Sequence, residues 1–417
     1  MKKRILLKLF FTFTIFTTLV TSQVLADDID NSDEIIDITK EVSAPSTKEL
    51  NINSRSYIVL DRKTNEVLFG KNQFEKRKMA STTKIMTALI TLERVNLQDN
   101  VTVSKKAAGT GGSRLGLKAN DIITVNDLLY GLMLCSGNDA AVCLAEYVGG
   151  SIEEFAKLMN QKAKELNLTN THFVTPHGLD SEEHYTTSYE LAILSNYALN
   201  NTKFKEIAGS KNYTININGY PKALSNTNEL LGNLSGVYGI KTGFTNGANR
   251  CLVTACKRND MDIICVVLGA DTKKFRTQDS IKLIEYTFQN YQYIDVKLLV
   301  ESKFQKWKQE NLEKISINKS IPSKLDITYS PIPYTSFPIF KEDIPSLKIN
   351  IDCKYDLNAP IMKNSSIGTL KLSLNDKDIV TCDLLVSNSV DKKNISYYLG
   401  YFYKNYISLL SSIFNNN

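Results

Sequence analysis

The sequence predicts an α+β fold: an antiparallel sheet with flanking helices and a helical subdomain, then a small all-β domain and a C-terminal amphipathic helix. Three observations carry this. Strand-like runs stand at both ends of residues 56–290, with helix-periodic segments between them. Past Gln292 the texture changes to short alternating runs such as "LKINIDCKY" and "GTLKLSL", with prolines at 331, 333, 338, 345 and 360. The final "ISYYLGYFYKNYISLLSSIFNNN" gathers apolar side chains on one helical face.

From the N-terminus, residues 1–26 have a basic start, an apolar stretch over Leu9–Val20 and small or apolar residues at Val24 and Ala26, the pattern of an export signal. Lys2, Lys3, Arg4 and Lys8 supply four of the six net positive charges. The remainder is near neutral and gives no argument for a nucleic-acid partner. Residues 27–48 are acidic and aperiodic, a flexible leader. The folded part is expected outside the cytoplasm. Seven cysteines follow, with no disulfide-framework or zinc spacing. Most read as small buried apolar side chains. Cys353 and Cys382, on neighbouring predicted strands, are candidates to pair.

The main domain, residues 49–292, opens with a hairpin over Ser56–Gly70. Met79–Val95 places Ile85, Leu89 and Leu92 at helical spacing. Thr124–Gly150 reads as two helices interrupted at Ser136-Gly137-Asn138, with Asn138 or Asp139 capping the second. Ile152–Leu166 is amphipathic, and Thr187–Leu199 opens on Thr187 and Glu190 at capping-box spacing. "VYGIKTG" and the two halves of "CLVTACKRNDMDIICVVLG" read as strands, and Ser280–Gln289 as a closing helix. Residues 293–391 form the β domain. Residues 392–417 suit either a membrane interface or docking on the protein: Ile395, Tyr398, Leu399, Phe402, Tyr406, Leu409, Leu410 and Ile413 share one face.

Chemistry concentrates in three short motifs. In "STTK", Ser81 and Lys84 are three residues apart on one helical face, so the amine can reach the hydroxyl. A serine needs a base to become a useful nucleophile. Lysine can serve once burial or a nearby cation disfavours its charged form. "KTG", Lys241-Thr242-Gly243, ends an apolar strand and can supply that cation, while the strand edge presents backbone groups to a peptide-like substrate. Gly243 permits close approach. Ser136 and Asn138 offer a hydroxyl and an amide from a break between helices. Each motif alone is weak; "SINK" and "SVDK" also match S-x-x-K. The ordered set is specific: S-x-x-K, S-x-N after 55 residues, and K-T-G after 105 more.

With the surrounding "EKRKMASTTKIMTALITLE", "THFVTPHGLDSEEHYTTSYELA" and "GIKTGFTNGANRCLVTA", this set resembles the low-molecular-mass penicillin-binding proteins, serine-type D-alanyl-D-alanine carboxypeptidases, over residues of about 50–390. The resemblance implies a DD-peptidase/β-lactamase-like fold. It also implies removal of the terminal D-alanine from peptidoglycan stem peptides through an acyl-enzyme, without a cofactor or metal, and acylation by β-lactams. Ser81 is then the nucleophile, Lys84 its base and Ser136 a proton relay. Asn138 holds the substrate amide, Lys241 and Thr242 bind its carboxylate with Arg276 nearby, and the N–H groups of Ser81 and Phe244 form the oxyanion hole. Asn249 stands where the family pattern has glycine. The alternatives are a serine β-lactamase, whose E-x-x-L-N signature is absent, and a non-catalytic wall-binding protein. His172, His177 and His184, near Asp180 and Glu183, invite a metal or triad reading; the resemblance gives that loop a structural role.

Overall fold

The computed structural model describes residues 50–414, without the side chains of 413 and 414. The expected export signal and acidic leader lie outside the described residues. All five expected main-domain strands join one antiparallel sheet, in the order Val67–Lys71, Ser56–Asp61, Met261–Ala270, Asn249–Arg258, Val237–Thr245. The K-T-G strand is therefore an edge.

Period-two alternation buries both faces of this sheet. Ile58, Leu60, Val253, Ala255, Ile264 and Val266 join the core under the helical subdomain. Val59, Leu252, Cys256, Ile263 and Cys265 face Ile281, Leu283 and Ile284 of the closing helix. That helix runs from Lys273 to Asn290, seven residues longer at its start than expected, because Thr272 caps it by accepting from Phe275 N–H. In the subdomain the helix Lys84–Arg94 is buried at every residue from Lys84 to Thr91, as a central helix packed on all sides must be. A hairpin, Asn212–Ile217 with Tyr220–Ser225, was not anticipated; its Asn218-Gly219 turn, with φ of 53° and 82°, is a direct sequence signal for one.

A second core gathers side chains from Ile294 to Val390 around a four-stranded sheet. It opens with a helix, Val296–Asn311, where only strands were expected; Val296, Val300 and Phe304 recur at helical spacing and are buried. The Cys353–Cys382 pairing is overturned. Cys353 lies opposite Gly368 and Cys382 opposite Leu370, so the Ser366–Leu374 strand separates them. Two strand spacings are about 9.6 Å, beyond the reach of a disulfide. None of the seven cysteines is in a disulfide among the described residues, and five are buried.

The terminal helix spans Ile395–Phe414. Its apolar face does not dock on the protein: Ile395, Leu399, Phe402 and Leu409 are each at least 60% exposed. No described helix is long and apolar enough to cross a membrane.

Candidate active site

Ser81 lies in a 3-10 turn, Ala80–Thr83, that leads into the Lys84–Arg94 helix, rather than in the first turn of a regular α-helix. In 3-10 geometry residues i and i+3 eclipse, which sets Lys84 directly over Ser81. Lys84 Nζ donates to Ser81 Oγ at 2.8 Å, to Asn138 Oδ1 at 2.6 Å and to the His177 carbonyl at 3.0 Å. Both side chains are buried.

The opposite wall is the expected break between helices, Val125–Leu134 and Asn138–Gly149. Ser136 sits in it with φ of 59°, a left-handed conformation usually left to glycine. Its hydroxyl is buried without a hydrogen-bond partner. Neither Asn138 nor Asp139 caps the second helix; Gly137 holds that position. Asn138 instead joins Lys84 to the Gly111 carbonyl, to which its amide donates at 2.8 Å. Asp139 accepts from the N–H groups of Leu115, Gly116 and Leu117, fixing the loop that carries Gly111.

The third wall is the sheet edge. A Cβ on Gly243 would lie 3.0 Å from Ser81 N and 3.1 Å from Thr82 N. The close approach that demands glycine is thus made by the protein's own Ser81 turn. Lys241 and Thr242 are buried beside it, and Thr242 Oγ1 meets Thr227 Oγ1 at 2.7 Å. Phe244, the next residue, carries the Arg250 guanidinium 3.7 Å over its ring. Asn249 has φ of 57°, a conformation asparagine tolerates in place of glycine. Arg276 is fully buried in the first turn of the closing helix and donates to Glu229 at 3.1 Å. Glu229 shares a short segment with Thr227, which links Arg276 to the strand. Thr227 and Glu229 were not anticipated, since they stand in the polar run "SNTNE" with no distinguishing signal, and Asp139 was expected only as a helix cap.

The histidine loop braces the turn that carries Ser81. His184 Nδ1 accepts from Val174 N–H, which leaves its Nε2–H to donate to Thr83 Oγ1 at 2.8 Å; Thr83 in turn donates to the Ala80 carbonyl. Burial, helped by Lys84 and His184, pushes His177 down to about 3, and burial with His172 pushes His184 down to about 4. Both rings are neutral at pH 7. Because the unfolded chain takes up these protons near pH 6.5 and the folded chain does not, stability is full above that pH. It should fall by about 1.4 kcal/mol per pH unit per histidine as pH drops toward 4. Denaturant titrations from pH 7.5 to 4.5 test this; His184→Gln should roughly halve the histidine contribution to the slope.

A lysine amine on a buried serine hydroxyl, set against the edge of an antiparallel sheet, is the arrangement of a serine acyl-transfer enzyme. The family model described as D-alanyl-D-alanine carboxypeptidase matches residues 39–272, more than half of the chain, and the chain belongs to that family. The model of the penicillin-binding protein 5 C-terminal domain matches residues 310–392. The chain is 35% identical over 332 residues to D-alanyl-D-alanine carboxypeptidase DacF of Bacillus subtilis, covering 78% of this chain and 83% of that one. It is 34% identical over 366 residues to DacC of Escherichia coli, covering 84% and 86%. The crystal structure of DacD from Francisella tularensis aligns with a TM-score of 0.66 at 26% identity, over 86% of this chain and 97% of that one. Penicillin binding protein 5 from Haemophilus influenzae aligns with 0.63 at 27%, over 84% and 100%.

Proposed function

We propose that the enzyme removes the terminal D-alanine from peptidoglycan stem peptides ending in D-Ala-D-Ala, with Ser81 as the acylated residue. The observation that carries this is the 2.8 Å contact between Lys84 Nζ and Ser81 Oγ. A neutral amine has two N–H bonds and one lone pair. With Lys84 neutral, Asn138 Oδ1 and the His177 carbonyl keep its two N–H bonds, and the 2.8 Å contact reverses so that Ser81 O–H donates to the Nζ lone pair. Lys84 takes that proton as Ser81 Oγ bonds to the penultimate D-Ala carbonyl carbon. The developing oxyanion lies between the N–H groups of Ser81 and Phe244. Collapse breaks the peptide bond; the Ser136 hydroxyl passes its proton to the departing D-alanine nitrogen and takes the one held by Lys84, which leaves Lys84 neutral again. Water then hydrolyses the ester and restores Ser81. Lys241 and Thr242 hold the terminal carboxylate, with Arg276 behind them, and Asn138 orients the substrate amide. A β-lactam ring opens by the same attack.

The test is chiral quantification of free D-alanine from an N-acylated peptide ending in D-Ala-D-Ala. One D-alanine per peptide is expected, with the reaction blocked by stoichiometric penicillin. Penicillin binding without release would favour a non-catalytic wall binder; rapid penicillin turnover would favour a β-lactamase.

The same reading makes residues 1–26 an export signal, 49–292 the catalytic domain, 293–391 a spacer and 392–417 a tether to the outer face of the membrane. The exposed face Tyr398, Leu399, Phe402 and Leu409 supports the tether, since interfacial binding grows with the apolar area buried. Lys404 is the single charged side chain on the helix, so binding should depend little on salt. Deleting residues 394–417 should give a soluble, fully active enzyme that no longer sediments with lipid vesicles. Continued sedimentation of the truncated enzyme would remove the tether.

A further inference from the structure

Asp180 stands against the end of the K-T-G strand, Val237–Thr245. Its carboxylate accepts from Thr245 Oγ1 at 2.7 Å and from Gly247 N–H at 2.9 Å, at the turn that follows the K-T-G strand. Both partners are neutral and the side chain is exposed, its charge felt by Lys78 nearby. The neighbouring cation, Lys78, is bound to Glu182 at 2.6 Å.

Strand register fixes what a substrate places there. This rests on the reading of Ser81, Lys241 and Thr242 given above. If the terminal carboxylate sits at Lys241 and Thr242 and the scissile carbonyl at Phe244 N–H, the substrate runs antiparallel to the strand. Each residue advances about 3.3 Å, so the residue before D-Ala-D-Ala lies beside Thr245 and Asn246, next to Asp180. We infer that Asp180 is a specificity residue that reads a side-chain ammonium at that third position. A stem peptide with a free amine there satisfies Asp180. One whose amine has been converted to an amide, as in a cross-link, brings no charge. The enzyme therefore favours uncross-linked stems.

The test compares N-acetyl-L-Lys-D-Ala-D-Ala bearing a free ε-amine with the same peptide acetylated at that amine. The wild-type enzyme should show a kcat/KM roughly two- to fivefold higher for the free amine, as befits an exposed ion pair. The preference should shrink in about 0.5 M salt. Asp180→Asn should abolish the preference, and Asp180→Lys should reverse it. Because both peptides meet the same protein, any bracing role of Asp180 cancels in the ratio. A ratio left unchanged by Asp180→Asn overturns the inference and leaves Asp180 as a brace for the turn. Acylation by penicillin, which carries no such ammonium, separates the two readings: its loss in the wild-type enzyme would count against the Ser81 mechanism instead.

Discussion

Ser81→Ala should abolish penicillin labelling and lower D-alanine release by at least roughly 10^4-fold, the scale of losing a catalytic nucleophile. Stability should hardly change, by under about 1 kcal/mol, because Lys84 keeps Asn138 Oδ1 and the His177 carbonyl as partners. Intact-mass and peptide-level mass spectrometry of the penicillin adduct check the assignment. The wild-type adduct should map to the peptide containing Ser81 and be missing from the variant. An adduct on another residue would sink it.

Gly178→Ala should also be damaging, by on the order of 10²-fold in acylation rate, although residue 178 contributes no chemistry. Gly178 has φ of 88°, and a Cβ there would stand 2.0 Å from the Ala80 carbonyl oxygen and 2.6 Å from Thr83 Oγ1. Something must move, and what it touches is the turn that aims Ser81. A displacement of about 1 Å can cost on the order of 10²-fold in rate, and left-handed strain adds about 1 kcal/mol to the loss of stability. Gly150→Ala is the matched control. Gly150 has φ of 81° with nothing within 4 Å of its would-be Cβ. That variant should lose similar backbone stability and keep its acylation rate. If both variants acylate penicillin at the wild-type rate, the histidine loop does not position the nucleophile.

Much of the site was legible from local pattern. Ser81 and Lys84 are adjacent on a turn because of their spacing alone. Ser136 and Asn138 sit in a visible break, and Lys241 and Thr242 lie in a visible strand, which runs on past the expected end to Thr245. Where local reading failed, long-range partners had won. Asp139 was a plausible helix cap, but three loop N–H groups more than 20 residues away claim its carboxylate. Glu190 was expected to close a capping box. Thr187 does accept from Glu190 N–H, but the Glu190 carboxylate accepts from Asn170 and Thr171. The helix Val296–Asn311 was missed although its apolar spacing is present, because the prolines and alternating runs beyond it set the reading of the whole region.

The sequence by itself determined the five strands of the main sheet, the principal helices of that domain and the order of the three motifs, since periodicity and turn chemistry are properties of neighbouring residues. Tertiary structure decided which of these meet. Lys84 bonds Asn138 across 54 positions and the His177 carbonyl across 93, and Asp180 bonds Thr245 across 65. It also placed a strand between Cys353 and Cys382 and made Gly243 a seat for the nucleophile turn. The physical reason is that a hydrogen bond or close approach between distant segments depends on how sheets and helices stack. No window of neighbouring residues encodes that stacking.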